Sequence, residues 1–248
     1  MEQNKILNIS IPIDSKHDIL EKIKKYLIDP KGYFHVVSLN PENLIASRTN
    51  LEFDKIVKTA QIKIIDGIGI VIASQILGIK VGERYPGVDL MKEVVTIAQQ
   101  LRLKVLLIGG RTNLALRLAQ CYQRQFLEAK FFGCYGIKNI KNPQVSEEKE
   151  ISSIVTDYKP HIIFVAFGSP DQELWIGRHK NQFNNCLVMG VGGAFDFLSG
   201  KIARAPQILR KIGLEWLFRL LIQPWRIKRQ LRLIQFLWLV LQEKFSRN

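Results

Sequence analysis

His161-Ile-Ile-Phe-Val-Ala-Phe167-Gly168-Ser169-Pro170 is a short, almost unbroken apolar run that stops at a turn. A strand exposed on one face would alternate apolar and polar residues. This one does not, as expected for a strand of a parallel sheet covered on both faces. Working outward, Lys104-Val-Leu-Leu-Ile108 has the same character and ends in Gly109-Gly110. A helical pattern follows over Asn113–Gln125, with Leu114, Leu118, Cys121 and Tyr122 on its apolar side. Ala129–Phe132 predicts the next strand, and Ser146–Asp157 a charged helix. Downstream of Pro170, a helix around Gln172–Lys180 leads to the strand Cys186–Met189 and the turn Gly190–Gly193. Toward the N-terminus, Tyr33–Val37 precedes a helix that starts at Asn40-Pro41. Then come a strand Gln61–Ile65, an apolar helix Ile68–Leu77, a loop with Arg84 and Pro86-Gly87, and a helix Val88–Leu101. The alternation predicts an α/β fold: a Rossmann-like, mostly parallel sheet with helices on both faces. In such sheets ligands bind beyond the carboxyl ends of the strands, where the glycine turns lie.

The chain has 248 residues, 47% hydrophobic and 23% charged, which suits a folded protein with a core and excludes disorder. Three scattered cysteines, no paired CxxC and four separated histidines argue for reduced thiols and against a zinc site. The first residues lack the apolar core of a secretion signal, so a cytoplasmic protein is expected.

Of the net charge of +14, residues 199–248 supply +9, with eleven Lys/Arg against two Glu. That asymmetry divides the chain into an α/β core, 1–198, and a basic amphipathic appendage, 199–248, with an anionic partner for the latter. Its last helix, about Trp225–Lys244, carries an apolar patch Leu231–Leu241 interrupted by Arg232 and Gln235. Spanning a bilayer takes roughly 20 apolar residues. The composition instead suits a helix lying in an anionic membrane surface, or one docked on the core or on a second subunit of a homo-oligomer. Nucleic acid would also satisfy the charge, but no nucleic-acid-binding module is visible and the basic residues are interleaved with bulky aliphatics.

Several residues have both a structural and a chemical reading. Asp66 ends a strand just before an apolar helix, so it is either an N-cap or a general base whose burial raises its pKa. Asn40 followed by Pro41 is an ordinary helix start. Yet Ser38 and Asn40, two apart on an extended segment, point the same way and could both meet a sugar. Ser169 and Gln172 fit a capping box. Arg84, in a Pro/Gly loop, is either solvated or free to fork onto a phosphate. Neither Gly190–Gly193 nor Gly67/Gly69 completes a GxGxxG fingerprint, which argues against a dinucleotide-dependent oxidoreductase. No Asp-x-Asp occurs to clamp a metal.

Together these stretches resemble the WecG/TagA/CpsF family of bacterial glycosyltransferases. The matching residues are Ser38-Leu-Asn40-Pro41, Asp66-Gly-Ile-Gly-Ile70, Glu83-Arg84 with Gly87-Val-Asp89-Leu-Met91, and Phe167-Gly-Ser-Pro-Asp-Gln172-Glu173. Gly190-Val-Gly-Gly-Ala-Phe-Asp196 and the run Leu198-Ser-Gly-Lys-Ile-Ala-Arg204-Ala-Pro206 through Gly213-Leu-Glu215-Trp216-Leu-Phe-Arg219 complete the likeness. The resemblance implies an inverting, metal-independent, cofactor-free transferase. It would move an N-acetylmannosamine-type sugar from a UDP-sugar donor to a polyprenyl-diphosphate-linked N-acetylglucosamine, peripherally bound to the inner face of the cell membrane. Such enzymes serve teichoic acid or related cell-surface polysaccharide assembly. The resemblance further implies Asp66 as the base, and Ser38, Asn40, Arg84 and Gln172 around sugar and acceptor. Asp196 would hold the nucleoside, and Gly109-Gly110 would let the backbone approach the diphosphate. Arg219, Arg226 and Arg229 would meet the lipid diphosphate or the departing UDP in place of a metal.

Overall fold

The computed structural model describes residues 4–110, 113–224 and 227–247, with the side chains of 228–230 left undescribed. Six strands form one parallel sheet: β3 (Phe34–Leu39), β4 (Ile62–Ile65), β5 (Lys104–Gly109), β6 (Lys130–Cys134), β7 (Ile162–Ala166) and β8 (Leu187–Gly190). Their spatial order is β4-β3-β8-β7-β5-β6, and every neighbouring pair is parallel. A two-stranded antiparallel hairpin, β1 (Lys5–Ile6) with β2 (Ile9–Ser10), stands apart. The expected α/β class therefore holds. All five residues of β7 are buried, as its unbroken apolar run requires.

Three apolar clusters cover the sheet. Alternate residues of β3 show the logic: Val36 enters one cluster, Val37 and Leu39 another on the opposite face. The first face is covered by α1 (Lys16–Ile28), α5 (Gly87–Gln100), α6 (Leu114–Gln125) and α9 (Ala194–Leu198). The second carries α2 (Pro41–Thr49), α3 (Leu51–Thr59) and α4 (Ile68–Leu77) at one end, and α7 (Val145–Tyr158) and α8 (Asp171–Arg178) at the other.

Helices α1 and α3, not expected from the apolar pattern, have local signals of their own. Ser15 and Asp18 cap α1 reciprocally, and Ile19, Ile23, Tyr26 and Leu27 bury its inner side. Asn50 caps α3 through the Phe53 amide. Cys121 is a correction: it lies on the exposed side of α6, not with Leu118 and Tyr122.

The appendage contains α10 (Gln207–Lys211), α11 (Glu215–Ile222) and α12 (Ile227–Arg247). α12 returns to the sheet, where Phe236 and Val240 are completely buried in the same cluster as Val37 and Leu39. It packs on α2 and α4. No helix among the described residues is long and apolar enough to cross a membrane.

Candidate active site

The carboxyl ends of β4, β3, β8 and β7 open into a cleft of about 310 Å³, within the range of small-molecule sites. One wall belongs to the sheet: Ser38, Asn40, Asp66, Arg84, Gln172 and the glycine turns at Gly168 and Gly190–Gly193. The other belongs to the appendage: Gly213, Glu215, Trp216, Arg219 and Leu233.

Asp66 continues β4 by one residue, its amide donating to the Leu39 carbonyl at 3.0 Å. It is not a helix cap. Gly67 occupies that position in α4 without a side-chain bond, and Asp66 Oδ1 accepts from the Gly87 amide at 3.0 Å. The N-terminus of α5, not of α4, thus claims the carboxylate. Arg84 is placed beside it because Ile65 and Arg84 form a parallel bridge, with the Tyr85 amide on the Ile65 carbonyl at 2.7 Å. Burial pushes the Asp66 pKa up. The Gly87 amide opposes that, Glu215 adds to it, and Arg219 and Arg84 oppose it more weakly.

Asn40 keeps its predicted cap, accepting from the Asn43 amide at 3.0 Å, while still lining the cleft. Asn43, missed in the sequence, is a buried tie. Its amide nitrogen donates to the Ser38 carbonyl at 2.7 Å, and its oxygen accepts from Ser169 Oγ at 2.5 Å. That bond also corrects the expected capping box at Ser169. α8 begins at Asp171 with Pro170 as its cap, and no side-chain cap forms. Ser169 is spent across the sheet edge on Asn43. Gln172 Oε1 reaches two turns, accepting from the Gly168 amide at 3.1 Å and the Gly192 amide at 3.0 Å. Its Nε2 donates to Glu173 Oε1 at 2.8 Å. Tertiary partners on two neighbouring strand ends replace the local cap.

The appendage wall is fixed by charge. Arg204 forks onto Asp89, Nη2 to Oδ2 at 2.8 Å, and its Nε reaches Glu215 at 3.3 Å. Burial pushes Asp89 up, but the Arg204 pairing outweighs this and holds its pKa below the usual carboxylate value. Arg84 donates to the Arg210 carbonyl, and Arg232 pairs with Glu42 at the cleft edge. Arg219 lies over the Phe197 ring at 4.1 Å.

Not every expected residue converges here. Gly109 and Gly110 end β5 outside the cleft lining, at φ of +91° and +78°. Side chains there would strike Phe167, and Leu114 with Phe195, so local packing already requires these glycines. Asp196 sits one turn into α9, beside the cleft residues Gly193 and Phe197, but does not line the cleft. Arg226 lies outside the described residues, as does the Arg229 side chain. Glu42, Glu173, Glu215 and Trp216 line the cleft and were missed as site residues, because in sequence each reads as an ordinary helix residue.

Comparison with known proteins gives a consistent picture. The sequence profile described as "Glycosyl transferase WecG/TagA/CpsF family" matches residues 4–248. A Bacillus subtilis (strain 168) protein is 26% identical over 248 residues, covering 100% of this chain and 94% of the relative. Relatives from Staphylococcus aureus strains MRSA252 and NCTC 8325 are 30% and 31% identical, each covering 96% of this chain and 92% of the relative. All three are named N-acetylglucosaminyldiphosphoundecaprenol N-acetyl-beta-D-mannosaminyltransferase.

Proposed function

The chain belongs to the WecG/TagA/CpsF family of glycosyl transferases, and from that premise we propose that it transfers N-acetylmannosamine from a UDP-sugar to a polyprenyl-diphosphate-linked N-acetylglucosamine. The full-length likeness to proteins named for that reaction supports the substrates. A β-linked product from an α-linked nucleotide sugar means inversion, a single in-line displacement needing a base on one side and charge stabilisation on the other. A cell-surface polymer such as teichoic acid is the destination of such a product.

The observation that carries the chemistry is Asp66 at the base of the cleft, raised by burial and oriented by the Gly87 amide, with Arg84 and Arg219 in its field. In the proposed step an acceptor hydroxyl oxygen forms its bond to the anomeric carbon while Asp66 takes the hydroxyl proton. The bond from that carbon to the phosphate oxygen breaks, and UDP leaves with its electrons. Arg219, and Arg84 if released from the Arg210 carbonyl, supply positive charge to the leaving diphosphate, with no metal required. Arg226 and Arg229 remain candidates for the same task, and Asp196 for the nucleoside.

The outer face of α12 supports a membrane partner. Ile227, Leu231, Ile234, Trp238, Leu241 and Phe245 recur at spacings of three and four, and all are exposed. Phe236 and Val240 are buried on another side of the same helix. The helix is therefore apolar on two faces, one docked and one bare. We assign that stripe to the anionic inner surface of the membrane where the lipid-linked acceptor resides. A dimer through the same stripe is the competing occupant.

The test is sugar transfer from a panel of UDP-sugars to a polyprenyl-diphosphate-N-acetylglucosamine analogue, with EDTA present. Acceptor-dependent UDP release from the N-acetylmannosamine donor, undiminished by EDTA, is expected. Transfer from a different hexose would overturn the sugar assignment, and loss of rate with EDTA would overturn metal independence.

A further inference from the structure

Glu173 stands beside Gln172 on α8, is 1% exposed, and belongs to the cleft lining. Its Oε1 accepts from Gln172 Nε2 at 2.8 Å, while its Oε2 is inaccessible to solvent and has no hydrogen-bond partner among the described residues. An oxygen closed to water is closed to a substrate, so Glu173 acts through its neighbour.

The hydrogen-bonding inventory of Gln172 shows how. A carboxamide offers two acceptor lone pairs and two N–H donors. The Gly168 and Gly192 amides take up both acceptor sites, and Glu173 takes one donor. The other N–H has no partner among the described residues, on a nitrogen packed against Gly190, where an added methyl would lie only 2.6 Å away. Two amides converging on Oε1 still let the group pivot about that oxygen. The bond to Glu173 removes the pivot and sets the direction of the remaining N–H.

We propose that Glu173 is a positioning residue: it fixes the plane of the Gln172 carboxamide so that one N–H stays presented to a sugar oxygen of the bound substrate. This rests on Gln172 being a substrate contact, as in the proposed function. Burial raises the Glu173 carboxyl to about 7, against the Gln172 hydrogen bond and the nearby Ser169 hydroxyl, which lower it. Its electrostatic neighbours are Asp171 on the same helix and Tyr33 from the segment entering β3. On α3, packed against α8, Glu52 is paired with Arg178 and Asp54 with Lys58. β7 and β8 present no titratable side chain. The hold on Gln172 therefore strengthens as pH rises through neutrality, because a carboxylate accepts more strongly than a carboxylic acid.

Two readouts test this on the full-length protein. The side-chain amide resonance of Gln172 in 15N-glutamine-labelled protein, assigned by its loss in Gln172→Ala, should shift with a midpoint near pH 7. That shift should vanish in Glu173→Gln. In transfer kinetics, Glu173→Ala should raise KM about tenfold for the same substrate as Gln172→Ala, with the smaller effect on kcat. The double variant should be no worse than Gln172→Ala, and Glu173→Gln should recover most of the loss. Multiplying effects in the double variant, or an amide resonance indifferent to pH, would overturn the proposal. Should the wild type transfer no sugar, the functional reading fails, and the amide titration still decides the role of Glu173.

Discussion

The two walls of the cleft are built by different physics. The sheet wall sits on strands whose side chains are almost wholly buried, and backbone groups orient its cleft-lining side chains: the Gly87 amide on Asp66, and the Gly168 and Gly192 amides on Gln172. The appendage wall has little core of its own. α10 and α11 contain no buried residue, and Arg204 with Asp89 and Glu215, Arg232 with Glu42, and Arg84 with the Arg210 carbonyl fasten it. Apolar burial of the sheet wall is insensitive to ionic strength, whereas partly exposed ion pairs are screened by salt. The sheet wall is preorganised by core and backbone, and the appendage wall is held by charge.

The strongest way to break that division is to remove the appendage's charge from the site. Arg219→Ala should lower kcat by about 10²–10³ while melting close to wild type, read by initial rates and a thermal melt. A loss below threefold would return the leaving-group role to the sheet wall. A smaller effect is expected from loosening the fastening. Arg204→Ala should lower kcat/KM by roughly tenfold and speed proteolysis within 199–222, leaving the sheet intact. An unchanged cleavage rate would mean that α12 alone holds the wall.

The bare stripe of α12 lies outside both walls. Changing Leu231 and Ile234 to Glu should abolish co-sedimentation with phosphatidylglycerol vesicles, yet shift stability by only about 0.5 kcal/mol, since both side chains are exposed. Retained vesicle binding, or conversion of a dimer to a monomer, would hand the stripe to a second copy. At the small end, Arg178→Ala breaks an exposed pair with Glu52 on the sheet side. It should cost at most about 1 kcal/mol in a denaturant melt and leave transfer untouched.

Much of this was legible in sequence where one residue's role is local or repeated. The unbroken runs at β5 and β7 gave the parallel sheet, and Asn40-Pro41 gave the start of α2. Asp66, Ser38 and Arg84 stand out as candidates because they sit at strand ends or in the loop that follows one, and Gln172 because of its spacing from Ser169. What stayed hidden depends on pairing across distance. Ser169 fits a cap by spacing, but Asn43, 126 residues away, takes its hydroxyl. Glu173 looks like an ordinary helix residue until the buried carboxylate and the Gln172 amide are seen together. Glu215 and Trp216 reach the cleft only once the appendage folds back. Gly109 and Gly110 show the opposite case, a turn that resembles a ligand site and whose glycines the local backbone already requires.

If Asp66 is the base of the transfer, its titration must show in the rate. The decisive measurement is kcat/KM for N-acetylmannosamine transfer over about pH 5 to 9, in wild type and Asp66→Asn, alongside thermal melts. Burial raises the folded-state pKa, so wild-type activity should fall as pH drops through a value above the ordinary carboxylate range. Asp66→Asn should lose about 10²–10⁴ in rate together with that acidic limb. The same shift means stability declines as pH rises through the raised pKa, so Asp66→Asn should melt above wild type at neutral pH. An Asp66→Asn enzyme with near-normal turnover and an unchanged acidic limb would contradict the account.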